Sequence, residues 1–311
     1  MTITVVIPNY NGANLIRKNL PYVVNALSGR KGVSVIIVDD GSKREDVLEL
    51  RKTIDVINMS TKVPVSLIER EKNGGFSSAV NTGVRSAKSD LVVLLNSDVG
   101  PQKNFLEPVL NRFDIHADLF GVGCMDISTE GDKKVFRGRG LGYWKRGMFN
   151  HKRGNIDRQD TFWISGGSSV VRREIYEKLG GMDELFNPFY WEDIDLSYRA
   201  RKAGYKIAFE KESKVEHRHE EGAIKTHYKK NKITTIAYRN QFIFHWKNIT
   251  DFNLLLSHFL WLPYHLLKAL SRFDKEFLNG FCLALTLLPD IINHRKKQKN
   301  LFVLKDKDII K

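Results

Sequence analysis

The stretch Val33-Ser34-Val35-Ile36-Ile37-Val38-Asp39-Asp40-Gly41-Ser42 decides the fold. Val33 through Val38 is a mostly β-branched apolar run, the pattern of a strand covered on both faces. It ends in two carboxylates, a glycine and a hydroxyl, which is turn chemistry. The same grammar stands on either side. Upstream, Ile3-Thr4-Val5-Val6-Ile7-Pro8 is another short apolar run, closed by proline and followed by the polar turn Asn9-Tyr10-Asn11-Gly12. Downstream, the pattern predicts a strand at Val63–Glu69, and the wholly apolar Leu91-Val92-Val93-Leu94-Leu95 ends in Asn96-Ser97-Asp98. Helices are expected between them, at about Ala13–Ser28, about Glu45–Met59 and about Ser77–Ser86, the last opened by Asn73-Gly74-Gly75-Phe76. Alternating strands and helices with apolar strands predict an α/β fold, Rossmann-like, with a mostly parallel central sheet flanked by helices. The polar clusters all fall at strand C-terminal ends, where open α/β sheets take their ligands.

Beyond residue 125 the chain changes character twice. Between 132 and 158 there are nine basic and two acidic residues, with many glycines, which predicts a loop or hairpin insertion and a candidate closing loop. Order is expected again at Phe162-Trp163-Ile164-Ser165-Gly166-Gly167, in helices at about Arg173–Leu179 and Glu192–Ala203, and in a short strand at Lys206–Phe209. After His227 the composition predicts long helices. We therefore expect a nucleotide-binding and catalytic domain at 1–225 and a C-terminal helical, basic extension at 226–311. Residues 225–311 hold 16 basic and 6 acidic residues, so +10 of the chain's +14 resides there. Leu254–Leu270 and Phe281–Leu288 are apolar but interrupted, and a spanning helix needs about 20 apolar residues. Interfacial helices on an anionic membrane surface are the expectation, with an ordinary helical cap as the plainer alternative. Apolar helices within the charge favour lipid over nucleic acid. Two cysteines make no disulfide framework, and because Met1 leads straight into the first apolar run, no secretory leader is expected. The expected location is cytoplasmic, peripheral on the inner face of the cell membrane.

Four clusters carry possible chemistry. Asp39-Asp40 can accept hydrogen bonds from a base or ribose, or cap a helix. Asn96-Ser97-Asp98 can reach a divalent metal, or form a turn. In Trp191-Glu192-Asp193-Ile194-Asp195-Leu196 three acids favour a helix N-terminus, but the aromatic residues before them can raise a carboxylate toward general-base range. Helical spacing puts Glu192 and Asp195 on one face and Asp193 elsewhere. His217 and His219 alternate at a strand end, as surface residues or as a ligand.

In this order the motifs resemble family 2 of the GT-A inverting glycosyltransferases. They are Val5–Gly12, Val38–Ser42, Asn73-Gly74-Gly75-Phe76 with Asn81 and Gly83, Leu95–Asp98, Gly180–Glu184, Glu192–Leu196 with Arg199 and Gly204-Tyr205, and His217. Tyr238-Arg239-Asn240 is similar to the bacterial rhamnosyltransferase-like branch. The resemblance implies an enzyme moving a sugar from a UDP- or dTDP-sugar, dTDP-rhamnose among them, to a hydroxyl of a glycan or lipid-linked glycan in cell-surface polysaccharide synthesis. It implies Pro8, Tyr10, Asn11, Asp39, Asp40, Asn73, Gly74, Gly75, Asn96, Ser97 and Asp98 at the nucleotide-sugar, with Asp193 as catalytic base. Gly166, Gly167, Trp191 and Glu192 are expected at the acceptor or donor sugar, and Asp98 and His217 at a divalent Mn²⁺ or Mg²⁺. Asn96 stands where many relatives carry Asp, which removes a charge from the metal site. A non-catalytic nucleotide-sugar-binding scaffold at the membrane is the alternative, and a retained base argues against it.

Overall fold

The computed structural model describes residues 1–130, 133–217 and 228–310. Its first third is the expected alternation: β1 (Ile3–Asn9), α1 (Ala13–Leu27), β2 (Val33–Asp39), α2 (Arg44–Ser60), β3 (Val65–Glu69), α3 (Phe76–Ser86) and β4 (Leu91–Leu95). These strands lie parallel in the order β3-β2-β1-β4, with Ile3 beside both Val33 and Leu91. Then follow β5 (Val99–Pro101), α4 (Leu106–Ile115), β6 (Leu119–Glu130) and β7 (Lys133–Arg137), and a hairpin of β8 (Gly140–Lys145) and β9 (Met148–Arg153). Last come β10 (Ser168–Arg172), α5 (Arg173–Lys178), a 3-10 turn at Glu184–Phe186, α6 (Glu192–Lys202) and β11 (Lys206–His217). The sheet continues β4-β10-β6-β11-β5, with β10 antiparallel to both of its neighbours and β7 paired to β6. The strand expected to end at Phe209 runs on to His217 through a register shift between Glu210 and Lys214.

The apolar strands fill two cores because both faces of the sheet are covered. One face packs on α1, α2 and α4, through residues such as Leu20, Ile54 and Phe113. The other packs on α3, α5 and α6, through Val80, Ile175 and Leu196. A third cluster joins Phe149 of β9, Trp191, Tyr198 of α6 and the C-terminal helices. Those are α7 (Lys230–Asn248), α8 (Phe252–Ser271), α9 (Lys275–Thr286), α10 (Leu288–Lys299) and the short α11 (Asp306–Ile309). The expected boundary at 225/226 falls in 218–227, outside the described residues.

Buried charges join α6 to these helices. Lys247 of α7 is fully buried, 2.5 Å from Asp183 and 2.7 Å from Asp195. Lys202 at the end of α6 is fully buried, 2.6 Å from Asp306 of α11, which also accepts from the Tyr198 hydroxyl. Burial alone would raise the Asp183 carboxyl, but Lys247 and His294 hold it well below the usual range. Such pairs are tolerable inside a protein only because every charge has a partner.

The basic insertion is a hairpin, as expected, but it is docked instead of free to close over a site. The Phe149 amide donates to His245 Nε2 at 2.6 Å, and Gln241 Nε2 donates to the Phe149 carbonyl. Burial pushes His245 down to about 3, so its imidazole is neutral and can accept. At the hairpin tip the Gly147 carbonyl meets His258 Nδ1 of α8 at 2.7 Å, and the Arg146 carbonyl meets His265 Nε2 at 2.8 Å.

Candidate active site

A cleft of about 350 Å³ opens where β1, β2 and β4 end, at the C-terminal edge of the parallel strands. That volume is ordinary for a small-molecule site. Its walls come from each expected cluster: Pro8 at the end of β1 and Tyr10 after it, Asp40 after β2, Asn73 and Gly75 before α3, and Asn96, Ser97 and Asp98 after β4. Gly166, Gly167, Glu192, Asp193 and His217 close the other side.

Four expected site residues stand behind the wall. Asp39 is buried and accepts from the Asn9 amide at 3.0 Å and from the Ser42 amide and hydroxyl, so it braces the β2 turn. Asn11 Oδ1 accepts from the Lys43 amide at 2.9 Å, tying the first turn to the second. Gly74 contributes its backbone N–H, 3.0 Å from Asp40 Oδ1. Trp191 is the larger displacement. Its side chain packs against Phe149 and Phe244 in the third core, and Tyr190 lines the cleft instead. The cause is backbone: Tyr190 and Trp191 are both left-handed, at φ 71° and 76°, which redirects successive side chains.

Asp40 holds together the wall formed by the turn after β2 and the turn before α3. It is buried, paired with the Arg70 guanidinium, and accepts from the Gly74 amide at 3.0 Å and the Gly75 amide at 2.8 Å. Gly75 is required by geometry: its φ is +89°, and a Cβ there would come within 2.8 Å of the Asn187 side chain.

Asp98 and His217 meet at 3.3 Å, Oδ1 to Nε2, brought together because β11 pairs with β5. Behind them Asp126 Oδ2 lies 2.5 Å from His217 Nδ1. Burial alone would pull the imidazolium down, but the two carboxylates raise it to about 9. A carboxylate oxygen and an imidazole nitrogen, the latter backed by a second carboxylate, form a donor set that fits Mn²⁺ or Mg²⁺ in part. Among the described residues no group of three or more His, Cys, Asp or Glu closes a metal cage by itself. The fit is therefore that of a site completed by substrate oxygens and water, as Mg²⁺-type sites commonly are. His219 lies outside the described residues.

Asp193 sits in the first turn of α6. Its Oδ1 accepts from the Ile194 amide at 2.7 Å and its Oδ2 faces the Gly166 amide at 3.4 Å. Burial pushes the carboxyl up to about 6, although the two amides pull the other way. Glu192 is buried beside it, and burial with the Asp193 charge holds it well above the ordinary range. Its Oε2 is buried with no hydrogen-bond partner among the described residues. The grouping differs from helical spacing. Glu192 and Asp193 both reach the cleft because α6 points its N-terminus at it, so residues of the first turn project past the helix end. Asp195 turns inward to Arg199 and Lys247.

The sequence reading missed Phe76, Ser165, Pro188, Phe189 and Tyr228 on the cleft wall, and Asp126 behind His217. It also gave no role to Asn240 of α7. That amide is fully buried and donates to the carbonyls of Phe186, Phe189 and Tyr190 at 2.8, 3.0 and 2.8 Å. It thereby clamps the left-handed segment that leads into Asp193.

Comparison with known proteins gives concordant matches. The family model described as Glycosyl transferase family 2 matches residues 4–180. The pre-mycofactocin glycosyltransferase of Mycobacterium tuberculosis is 28% identical over 222 residues, covering 70% of this chain and 43% of that protein. The O-antigen chain rhamnosyltransferase WbaN of Salmonella anatum is 26% identical over 220 residues, covering 70% of this chain and 66% of that protein. The chain thus spans less than half the length of the mycobacterial relative. Among solved structures, GalNAc-T7 with UDP, GalNAc and Mn²⁺ superposes with a TM-score of 0.64 at 19% identity, covering 79% of this chain and 48% of that one.

Proposed function

The chain belongs to glycosyl transferase family 2, and from that premise we propose that it moves a sugar from a UDP- or dTDP-sugar to a hydroxyl of a glycan or lipid-linked glycan, inverting the anomeric carbon. The observation that carries the reading is the pairing of Asp193, raised to about 6, with the Asp98–His217 pair in one cleft of nucleotide-sugar size. A general base and a cation-holding pair in a single cleft are what displacement of a diphosphate requires. dTDP-rhamnose is a candidate donor on the likeness to WbaN, and cell-surface polysaccharide synthesis is the role it suggests.

In this mechanism the Asp40-braced turn at 73–75 and Pro8, Tyr10 and Asp40 hold the nucleoside. Asp98 and His217 would hold a divalent cation against the donor diphosphate. When bound, Mn²⁺ or Mg²⁺ supplies Lewis-acid neutralisation of charge on the departing diphosphate. Asp193, as carboxylate, takes the proton of the acceptor hydroxyl as that oxygen bonds to C1 and the C1–O bond to the diphosphate breaks. Attack from the face opposite the leaving group passes through an oxocarbenium-like state and inverts the centre, by analogy with inverting glycosidases. Glu192, its carboxyl raised well above the usual range by burial and the Asp193 charge, lines the same wall and is placed to hydrogen-bond a sugar hydroxyl.

The test is a panel of UDP- and dTDP-sugars with Mn²⁺ and glycan acceptors, read by nucleotide release and by the anomeric configuration of the product. Release coupled to transfer with inverted configuration is expected. Retained configuration sinks the direct-displacement mechanism, and nucleotide binding without turnover on any donor returns the scaffold alternative.

A further inference from the structure

We infer that the outward face of α8 is a docking surface for an anionic lipid bilayer. Phe252, Leu256, Phe259, Leu260, Leu267 and Leu270 are all exposed. At 100° per residue these six positions fall within an arc of roughly 100° along a 20-residue helix. The other side of the helix is already used: His258 and Ala269 are buried, and His258 accepts from the Trp246 indole of α7 at 3.1 Å. The exposed arc is therefore apolar, while the polar positions Ser257, His258, His265 and Lys268 lie outside it. A continuous exposed apolar strip of this kind marks an interaction surface.

Charge decides what covers it. No acidic residue occurs between Asp251 and Asp274, while Lys268 and Arg272 do. The two bounding acids are engaged at backbone. Asp251 Oδ2 accepts from the Lys307 amide, and Asp274 Oδ1 accepts from the Phe277 amide. On the flank of the strip the hairpin tip adds Lys145 and Arg146, both exposed, and the Arg146 guanidinium lies 5.8 Å over Trp261 and 5.7 Å over Tyr264. Lys268, Arg272 and Lys275 rim its far end, all exposed. A second copy would set positive rim against positive rim. Anionic headgroups meet the rim with opposite charge while acyl chains take the leucines and phenylalanines, with Trp261 and Tyr264 at interfacial depth. No helix among the described residues is long and apolar enough to cross a membrane, so the contact is one of lying on the surface.

The test uses the full chain, because removing the last helices would strand Lys202 without Asp306. Flotation with phosphatidylglycerol–phosphatidylcholine vesicles and with pure phosphatidylcholine vesicles is compared for wild type, for L256E/L267E and for K268E/R272E. Wild type is expected to float with the anionic vesicles at low salt and to be released by salt. Each double variant is expected to lose roughly tenfold or more in partitioning while keeping its circular dichroism and its UDP binding. Failure of wild type to bind anionic vesicles, equal binding to neutral ones, or unchanged binding by L256E/L267E overturns the inference. So does a concentration-dependent dimer that L256E/L267E dissolves, which would make a second copy the occupant. UDP binding reports on the cleft separately, so loss of lipid contact and loss of the transfer mechanism are told apart.

Discussion

Asp193 keeps its proton longer than an exposed carboxylate because the protein around it is a poor solvent for charge. Two outcomes follow for activity and stability. With a carboxyl raised to about 6, kcat/KM should climb as pH rises through about 6 and level off above it. Below that point it should fall toward tenfold per unit. For stability the sign is reversed. Between the ordinary value of 3.8 and about 6 the folded protein holds a proton that the unfolded chain has released, so stability declines as pH rises through that window. Asp193→Asn should therefore abolish transfer, leave UDP affinity nearly unchanged, and raise stability at pH 7 by about 3 kcal/mol in urea unfolding. Measurable transfer by that variant would remove Asp193 from its role as base. The Asp98–His217 pair makes a different prediction. Asp98→Ala should weaken Mn²⁺-dependent UDP binding in calorimetry and leave the smaller metal-free binding unaffected. Equal UDP affinity with and without EDTA in wild type would speak against a cation at this pair.

At the scale of elements, what the sequence made legible was whatever a single segment decides for itself. The apolar strands β1, β2 and β4 stand out because each is buried on both faces, and the turns after them carry the cleft because parallel strands end together. Strand β6 was illegible for an equally physical reason. Gly121 and Gly123 interrupt it, and glycine weakens a strand pattern, yet Gly121 is needed because a Cβ there would meet Ile164 at 2.4 Å. Contacts across long separations were also hidden. Asp126 and His217 are 91 residues apart, and no local spacing announces their bond. Trp191 was assigned to the sugar side, and two consecutive left-handed residues, which no local pattern announces, turn its side chain into the core instead. Asn240 belongs to this class, and it yields a prediction about α7 as a whole. Asn240→Ala leaves the carbonyls of Phe186, Phe189 and Tyr190 without their donor, at about 1–3 kcal/mol. With the left-handed turn released, Asp193 should lose its aim more than the cleft loses its nucleotide. The expected result is a fall in kcat with little change in KM for the donor, and partial rescue by Asn240→Gln. An equal loss of both would reduce Asn240 to a packing residue.

Across the whole molecule, buried ion pairs bind the C-terminal helices to α6, the helix that carries Asp193. Lys202 and Asp306 are both fully buried, so Asp306→Ala should strand a charged lysine and cost about 3–5 kcal/mol, read as a shift of the urea midpoint. Lys202→Met with Asp306→Leu should recover most of that loss, since a matched apolar pair removes both desolvation penalties. A loss confined to α11, with the rest of the unfolding transition unchanged, would show that the pair holds only the tail. The same pair has a consequence for how the protein is made. Lys202 leaves the ribosome 104 residues ahead of its partner, an interval of about 5–20 s at ordinary rates of translation. During that time the strands that end at the cleft are already synthesised, while the helix bearing Asp193 still has an unmatched ammonium at its far end. A nascent chain can thus form most of its cleft wall well before α6 is anchored at its far end.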